Sequence, residues 1–249
     1  HLRLTEVVVI GWWLALRGLW NERTWYMLAF RSLRFAEACG GHVTVTGIQV
    51  MARLKGPAVI VANHMSMLET FVMGSFVVPF CPMTVILKES LLRLPLFGRL
   101  MRAAYPISVT RRNPREDFRV ILEEGEKNLR AGKSIVVFPQ ATRSTVFDPS
   151  RFNSVGVKLA RKAGVPVVPV ALKTDFHGNG RLIRDFGKVN RSQPIRFHFG
   201  DPITVTGNGR AAHEATLSFL TTTLKQWGVE VRDSGPGNAT EVSAGEGVE

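Results

Sequence analysis

Ala58-Val59-Ile60-Val61-Ala62-Asn63-His64-Met65-Ser66-Met67-Leu68-Glu69 is the stretch that decides the fold of this chain. Its first five residues form an apolar, β-branched run of the length and composition of a buried strand. The residues after it lead into a helix expected from about Met65 to Val77. A second run, Ser134-Ile135-Val136-Val137, is followed in the same way by a polar cluster, Phe138-Pro139-Gln140-Ala141-Thr142-Arg143-Ser144. Ligands on open α/β sheets collect beyond the carboxyl ends of the strands, which is where both clusters fall.

His64 and Glu69 are five residues apart. On a single helix that spacing is roughly 140° around the axis, so two residues inside it would not face each other. They meet if His64 sits on the turn before the helix and Glu69 lies one turn in. Glu69 would then accept a hydrogen bond from Nδ1 and leave Nε2 as a base. A capping histidine with a solvent-facing glutamate is the other reading of this segment.

Working outward, residues 4–40 read as two helices, the second from about Thr24 to Ala38. Strands follow at Val43–Thr46, Ala58–Ala62, Met83–Leu87, Ile107–Val109, Ile135–Phe138, Val167–Leu172 and Ile195–Phe199. Asn113-Pro114-Arg115-Glu116 has the N-cap, proline and N3 glutamate of a helix start, and Gly132 ends that helix. Val155–Ala163 is a helix closed by Gly164, and a last helix runs from about Ala211 to Trp227. Strands alternating with helices predict an α/β fold, a largely parallel sheet flanked by helices. The expected division is an N-terminal hairpin over 1–41, an α/β domain over 42–228 and a disordered tail over 229–249.

Four of the five tryptophans (Trp12, Trp13, Trp20 and Trp25) lie in the first 25 residues, interleaved with Arg3, Arg17 and Arg23. Aromatic rings, arginines and a short apolar run suit a helical hairpin lying at a bilayer interface. Packing of those aromatics on the main domain is the alternative. The longest apolar run, Val7 to Leu16, falls short of the roughly 18 residues of a membrane span. The chain opens on His1 rather than methionine, and further sequence upstream is expected. The formal charge is +12; residues 229–249 set one arginine against five acidic residues, a net of −4, so the first 228 carry +16. A body that basic suits anionic lipid, an acidic carrier protein or phosphorylated substrates. No nucleic-acid motif or basic arm points to nucleic acid.

Two cysteines, Cys39 and Cys81, make no disulfide framework, and no Cys/His spacing fits a metal. Gly132-Lys133-Ser134 has Lys127 where a P-loop needs glycine, and it leads into a strand. Gly207-Asn208-Gly209 is followed by too little chain for a dinucleotide fold. There is no Gly-x-Ser-x-Gly elbow and no His-Glu-x-x-His helix.

Four blocks in order, over about residues 42–172, resemble the glycerolipid acyltransferase family in its 1-acyl-sn-glycerol-3-phosphate acyltransferase branch. Asn63-His64 to Glu69 is similar to the His-x4-Asp catalytic block, and Ile107-Ser108-Val109-Thr110-Arg111 to the block that ends in an acceptor-binding arginine. Phe138 to Ser144 resembles Phe-Pro-Glu-Gly-Thr-Arg, and Val165 to Ala171 the fourth block. Lys88-Glu89-Ser90-Leu91 is similar to a lysine-bearing segment between the first two. Glu69 stands where the family has Asp, Gln140 where it has Glu, and Ala141 where it has Gly.

The resemblance implies transfer of a fatty acyl group from a thioester to the 2-hydroxyl of 1-acylglycerol 3-phosphate, giving phosphatidic acid. His64 would be the base and Glu69 its orienting acid. Arg143, Arg111, Lys88 and Thr142 would hold the acceptor phosphate, although Arg111 also reads as a solvated loop residue beside Arg112. The expected co-substrate is acyl-CoA or acyl-carrier protein, with no cofactor and no metal. The expected location is the cytoplasmic face of the cell membrane, held peripherally or monotopically. Two other readings stay open: an acyltransferase for another lyso-lipid, such as a lyso-ornithine lipid, and a non-catalytic protein that binds anionic membranes.

Overall fold

The computed structural model describes residues 2–140, 142–178, 180 and 187–232. The alanine-for-glycine change at Ala141 and most of the expected tail, residues 233–249, lie outside them. In chain order the elements are α1 (Leu2–Leu16), α2 (Glu22–Ala38), β1 (Val43–Thr46), α3 (Gln49–Arg53), β2 (Val59–Ala62), α4 (Leu68–Val77) and β3 (Met83–Lys88). A 3-10 turn at Glu89–Arg93 leads to α5 (Phe97–Ala103), β4 (Ile107–Val109), α6 (Pro114–Arg130) and β5 (Ser134–Val137). The chain closes with α7 (Val155–Ala163), β6 (Val167–Lys173), β7 (Ile195–Phe199) and α8 (Arg210–Gln226).

The strands form one sheet in the order β1-β7-β6-β2-β5-β3-β4, parallel throughout except where β7 runs antiparallel to β6. Every residue of β2, β5 and β6 is buried, as expected of central strands covered on both faces. Alternation splits β2 between two cores. Ile60 and Ala62 pack with Leu33 of α2 and with Val72, Met73 and Phe76 of α4. Val59 and Val61 pack with Leu129, Leu159 and Leu220 of α6, α7 and α8. Full burial of each such aliphatic side chain contributes roughly 1.5–3 kcal/mol. The core positions β2 so that its carboxyl end, and His64 just beyond it, project from the middle of the sheet edge.

Local chemistry sets the helix ends. Asn113 caps α6, its side chain accepting from the Glu116 amide at 3.2 Å, with Pro114 in the first turn. Gly164 ends α7 at φ +69°, a conformation that favours glycine. α4 begins at Leu68 rather than Met65, because the Met65 and Ser66 amides turn toward the Glu69 carboxylate instead of up the helix.

The hairpin is fastened at two points. Asn21 and Thr24 make a reciprocal capping box at the start of α2. α2 lies on α4, where a Cβ at Gly74 would stand 2.9 Å from Trp25 Nε1. α1 lies on α5, where a Cβ at Gly11 would stand 2.7 Å from the Leu100 side chain. Among the described residues, no helix is long and apolar enough to cross a membrane. At the other end, Val229 is buried and Val231 bridges Phe147, so packed chain continues past the expected boundary at 229.

Candidate active site

Glu69 is fully buried in the first turn of α4. Its Oε1 accepts from His64 Nδ1 at 2.9 Å and from the Met65 and Ser66 amides at 2.7 Å each. Its Oε2 accepts from Ser66 Oγ at 2.7 Å and from Thr174 Oγ1 at 2.6 Å. Burial is the largest single influence on the carboxyl and acts to raise its pKa. The hydrogen bond and charge of His64, then Thr174 and the Ser66 amide, outweigh it and hold Glu69 below its ordinary value. Glu69 is therefore an anion whose lone pairs are all directed at fixed donors. The solvent-facing alternative does not hold.

His64 is positioned from every side. Its side chain is 14% exposed, and its ring stacks on Phe138 with centroids 4.4 Å apart. Its amide donates to Gln140 Oε1 at 2.8 Å, and its carbonyl accepts from the Ser144 amide at 2.9 Å. With Nδ1 given to the carboxylate, Nε2 carries the free lone pair and has no hydrogen-bond partner among the described residues. Asn63 beside it exchanges two hydrogen bonds with the Leu172 backbone, at 2.8 and 2.7 Å, tying the end of β2 to β6.

The cationic residues line up along the same sheet edge. Thr142 is exposed and Arg143 half-buried on the loop after β5, the strand adjacent to β2. Burial, before any neighbouring charge, lowers the pKa of His177, with Glu69 opposing the shift and Arg143 adding to it. Lys88 ends β3 and pairs with Val109 of β4, two residues before Arg111. Those strands stand two and three places from β2, about 10 and 14 Å at the usual strand spacing. The structure thus joins His64 to Glu69, Gln140 and Ser144 by direct hydrogen bonds. It sets Lys88 and Arg111 farther along the edge, both exposed.

Sequence reading missed four residues here. Gln140 and Thr174 bond the dyad as described, and Ser66 caps the first turn of α4 while also holding Glu69. Asp117, buried in the first turn of α6, accepts from the Thr110 amide and hydroxyl at 2.8 and 3.0 Å and from the Arg111 amide at 2.7 Å. It fixes Arg111 at φ +59°, an unusual conformation for arginine. The only prior signal for Asp117 was its place in a capped first helical turn. Cys39 and Cys81 stay outside the site, Cys81 donating to the Gly132 carbonyl at 3.2 Å. Among the described residues, no group of His, Cys, Asp or Glu could hold a metal ion.

The site is a carboxylate-steered imidazole on the edge of a mostly parallel α/β sheet. The chain belongs to the Acyltransferase family, whose model matches residues 42–173. It is 31% identical over 156 residues to the 1-acyl-sn-glycerol-3-phosphate acyltransferase of Pseudomonas aeruginosa, covering 63% of this chain and 58% of that one. To the protein of the same name from Saccharomyces cerevisiae it is 32% identical over 136 residues, covering 53% and 43%. The crystal structure of the 1-acyl-sn-glycerophosphate acyltransferase PlsC from Thermotoga maritima superposes with a TM-score of 0.66 at 20% identity, covering 92% and 93%. That likeness shows the fold. The chain spans about half the length of the curated relatives it matches.

Proposed function

We propose that this protein transfers a fatty acyl group from a thioester to the 2-hydroxyl of 1-acylglycerol 3-phosphate, giving phosphatidic acid at a membrane surface. The observation that carries this reading is the buried Glu69 carboxylate fixed on His64 Nδ1. The names of the relatives supply the substrate class.

In this reading His64 Nε2 takes the proton of the acceptor hydroxyl as its oxygen bonds to the thioester carbonyl carbon. The C–S bond then breaks, and the departing thiolate takes the proton back from the imidazolium. Glu69 stabilises that imidazolium and fixes the ring, in the manner of general-base catalysis. Arg143, with Thr142 beside it, grips the acceptor phosphate by charge-assisted hydrogen bonds, and Arg111 and Lys88 extend the positive field along the sheet edge. The thiol carrier is coenzyme A or acyl-carrier protein. The aromatic hairpin rests on the cytoplasmic face of the membrane that holds the acceptor.

The test is a panel of lyso-lipid acceptors offered to the purified protein with each donor in turn. 1-Acylglycerol 3-phosphate is expected to be consumed fastest, with phosphatidic acid as product. Faster turnover of a lyso-lipid lacking the phosphate monoester would overturn the assignment of the acceptor.

A further inference from the structure

α5 carries features that neither the catalytic residues nor the hairpin account for. It is part of the connection from β3 to β4, so it lies between Lys88 and Arg111 in the chain. Where it meets the end of α1 there is an open hollow of about 500 Å³, whose lining includes Trp20, Arg99, Arg102 and Tyr105. No acidic residue lines it. Arg99 is exposed and has no ion-pair partner among the described residues. Arg102 gives one nitrogen to the Leu92 carbonyl, which holds its head beside the 3-10 turn.

The chain on either side of α5 exposes apolar residues where water would favour polar groups. Leu94 and Leu96 are 46% and 37% exposed, and Tyr105 is 76% exposed. On the hairpin, Trp13, Leu16 and Leu19 are exposed as well. Single exposed apolar residues are ordinary; a set on two packed elements, with Trp20 and Tyr105 lining the same hollow as the two arginines, is not. The backbone reinforces the point. Leu96 and Tyr105, which bracket α5, sit at φ +59° and +47°, a region bulky residues rarely adopt.

We propose that α5 and the turn before it form a second bilayer-docking element, in which Arg99 and Arg102 hold the phosphates of anionic phospholipid. The exposed aromatic and aliphatic side chains enter the interface, and the cations meet the negative headgroups. This rests on the reading that the acceptor is taken from a membrane. A hairpin alone leaves rotation about its own axis free. A second contact removes that freedom and brings Lys88 and Arg111 toward the lipid surface.

The experiment measures partitioning of the full chain onto phosphatidylcholine vesicles with and without phosphatidylglycerol. Arg99→Glu/Arg102→Glu is expected to weaken binding to the anionic vesicles more than tenfold, since each surface cation contributes about fivefold. Arg99→Glu alone, which leaves the Arg102–Leu92 bond in place, should show about half of that effect on a logarithmic scale. Arg99→Lys/Arg102→Lys should bind within about twofold of the original chain. Equal binding by the charge-reversed and original chains overturns the proposal, as does failure of the original chain to prefer anionic vesicles. Acyl transfer to detergent-dispersed acceptor, expected to be unchanged in all three variants, reports separately on the catalytic reading.

Discussion

Glu69 and Asp117 use one local device to different ends. Each is a buried carboxylate in the first turn of a helix, reaching back to the segment that joins a strand to that helix. Each accepts from two backbone amides there. Glu69 also takes the side chain of its turn, His64, and closes off its other oxygen with two hydroxyls. Asp117 instead takes the amide and hydroxyl of Thr110, and of the exposed Arg111 it takes the backbone amide. In the proposed reaction a group that moves a proton is aimed at its atoms, and a group that attracts an anion is aimed by its backbone.

The largest effect expected from breaking this pattern is at the dyad. His64→Ala should cut turnover by about 10²–10⁴-fold with the fold intact, read by steady-state kinetics and circular dichroism. Glu69→Gln should lose activity on the same scale. It should also lower stability by about 3 kcal/mol, because an amide nitrogen would face donors in a buried site, which urea unfolding measures. Thr174→Val comes next, with a fall in kcat of about tenfold and a displaced pH profile. Thr174→Ser should restore both, and failure of that rescue would mean the hydroxyl only fills space.

At the second carboxylate the readout should change in kind. Asp117→Ala is expected to raise acceptor KM by about tenfold while donor KM and kcat move little, since it frees the Arg111 backbone without touching the dyad. A collapse of kcat in that variant would erase the distinction between the two turns. The smallest effect is on acid stability. Glu69 is held below its ordinary value of 4.5, so its contribution is fully present above that pH and fades as pH falls through the lower folded value. The stability gap between the original chain and Glu69→Gln should therefore narrow in acid, measured by urea unfolding at about pH 7 and about pH 4.

Much of the sheet was legible because its central strands are unbroken β-branched runs between turn residues, and the dyad because strand, turn and helix follow one another within twelve residues. The direction of β7 was not legible, since a strand's pairing sense depends on a connection rather than on its own residues. α3 and α5, five and seven residues long, are too short to show helical periodicity. Thr174 reaches Glu69 across 105 residues of sequence, so no local pattern announces it. Gln140 read as the loss of a charge. In the fold its amide oxygen receives the backbone of the catalytic turn.

The close seating of Trp25 against Gly74 has a mechanical consequence. α4 bears Glu69 at one end and rests beneath the hairpin near the other, so a push on the amphipathic arm arrives at the helix that holds the carboxylate on His64. Widening that seam by a single methyl would decouple anchor from engine: an alanine at 74 should leave solution chemistry alive while blunting work on lipid sheets.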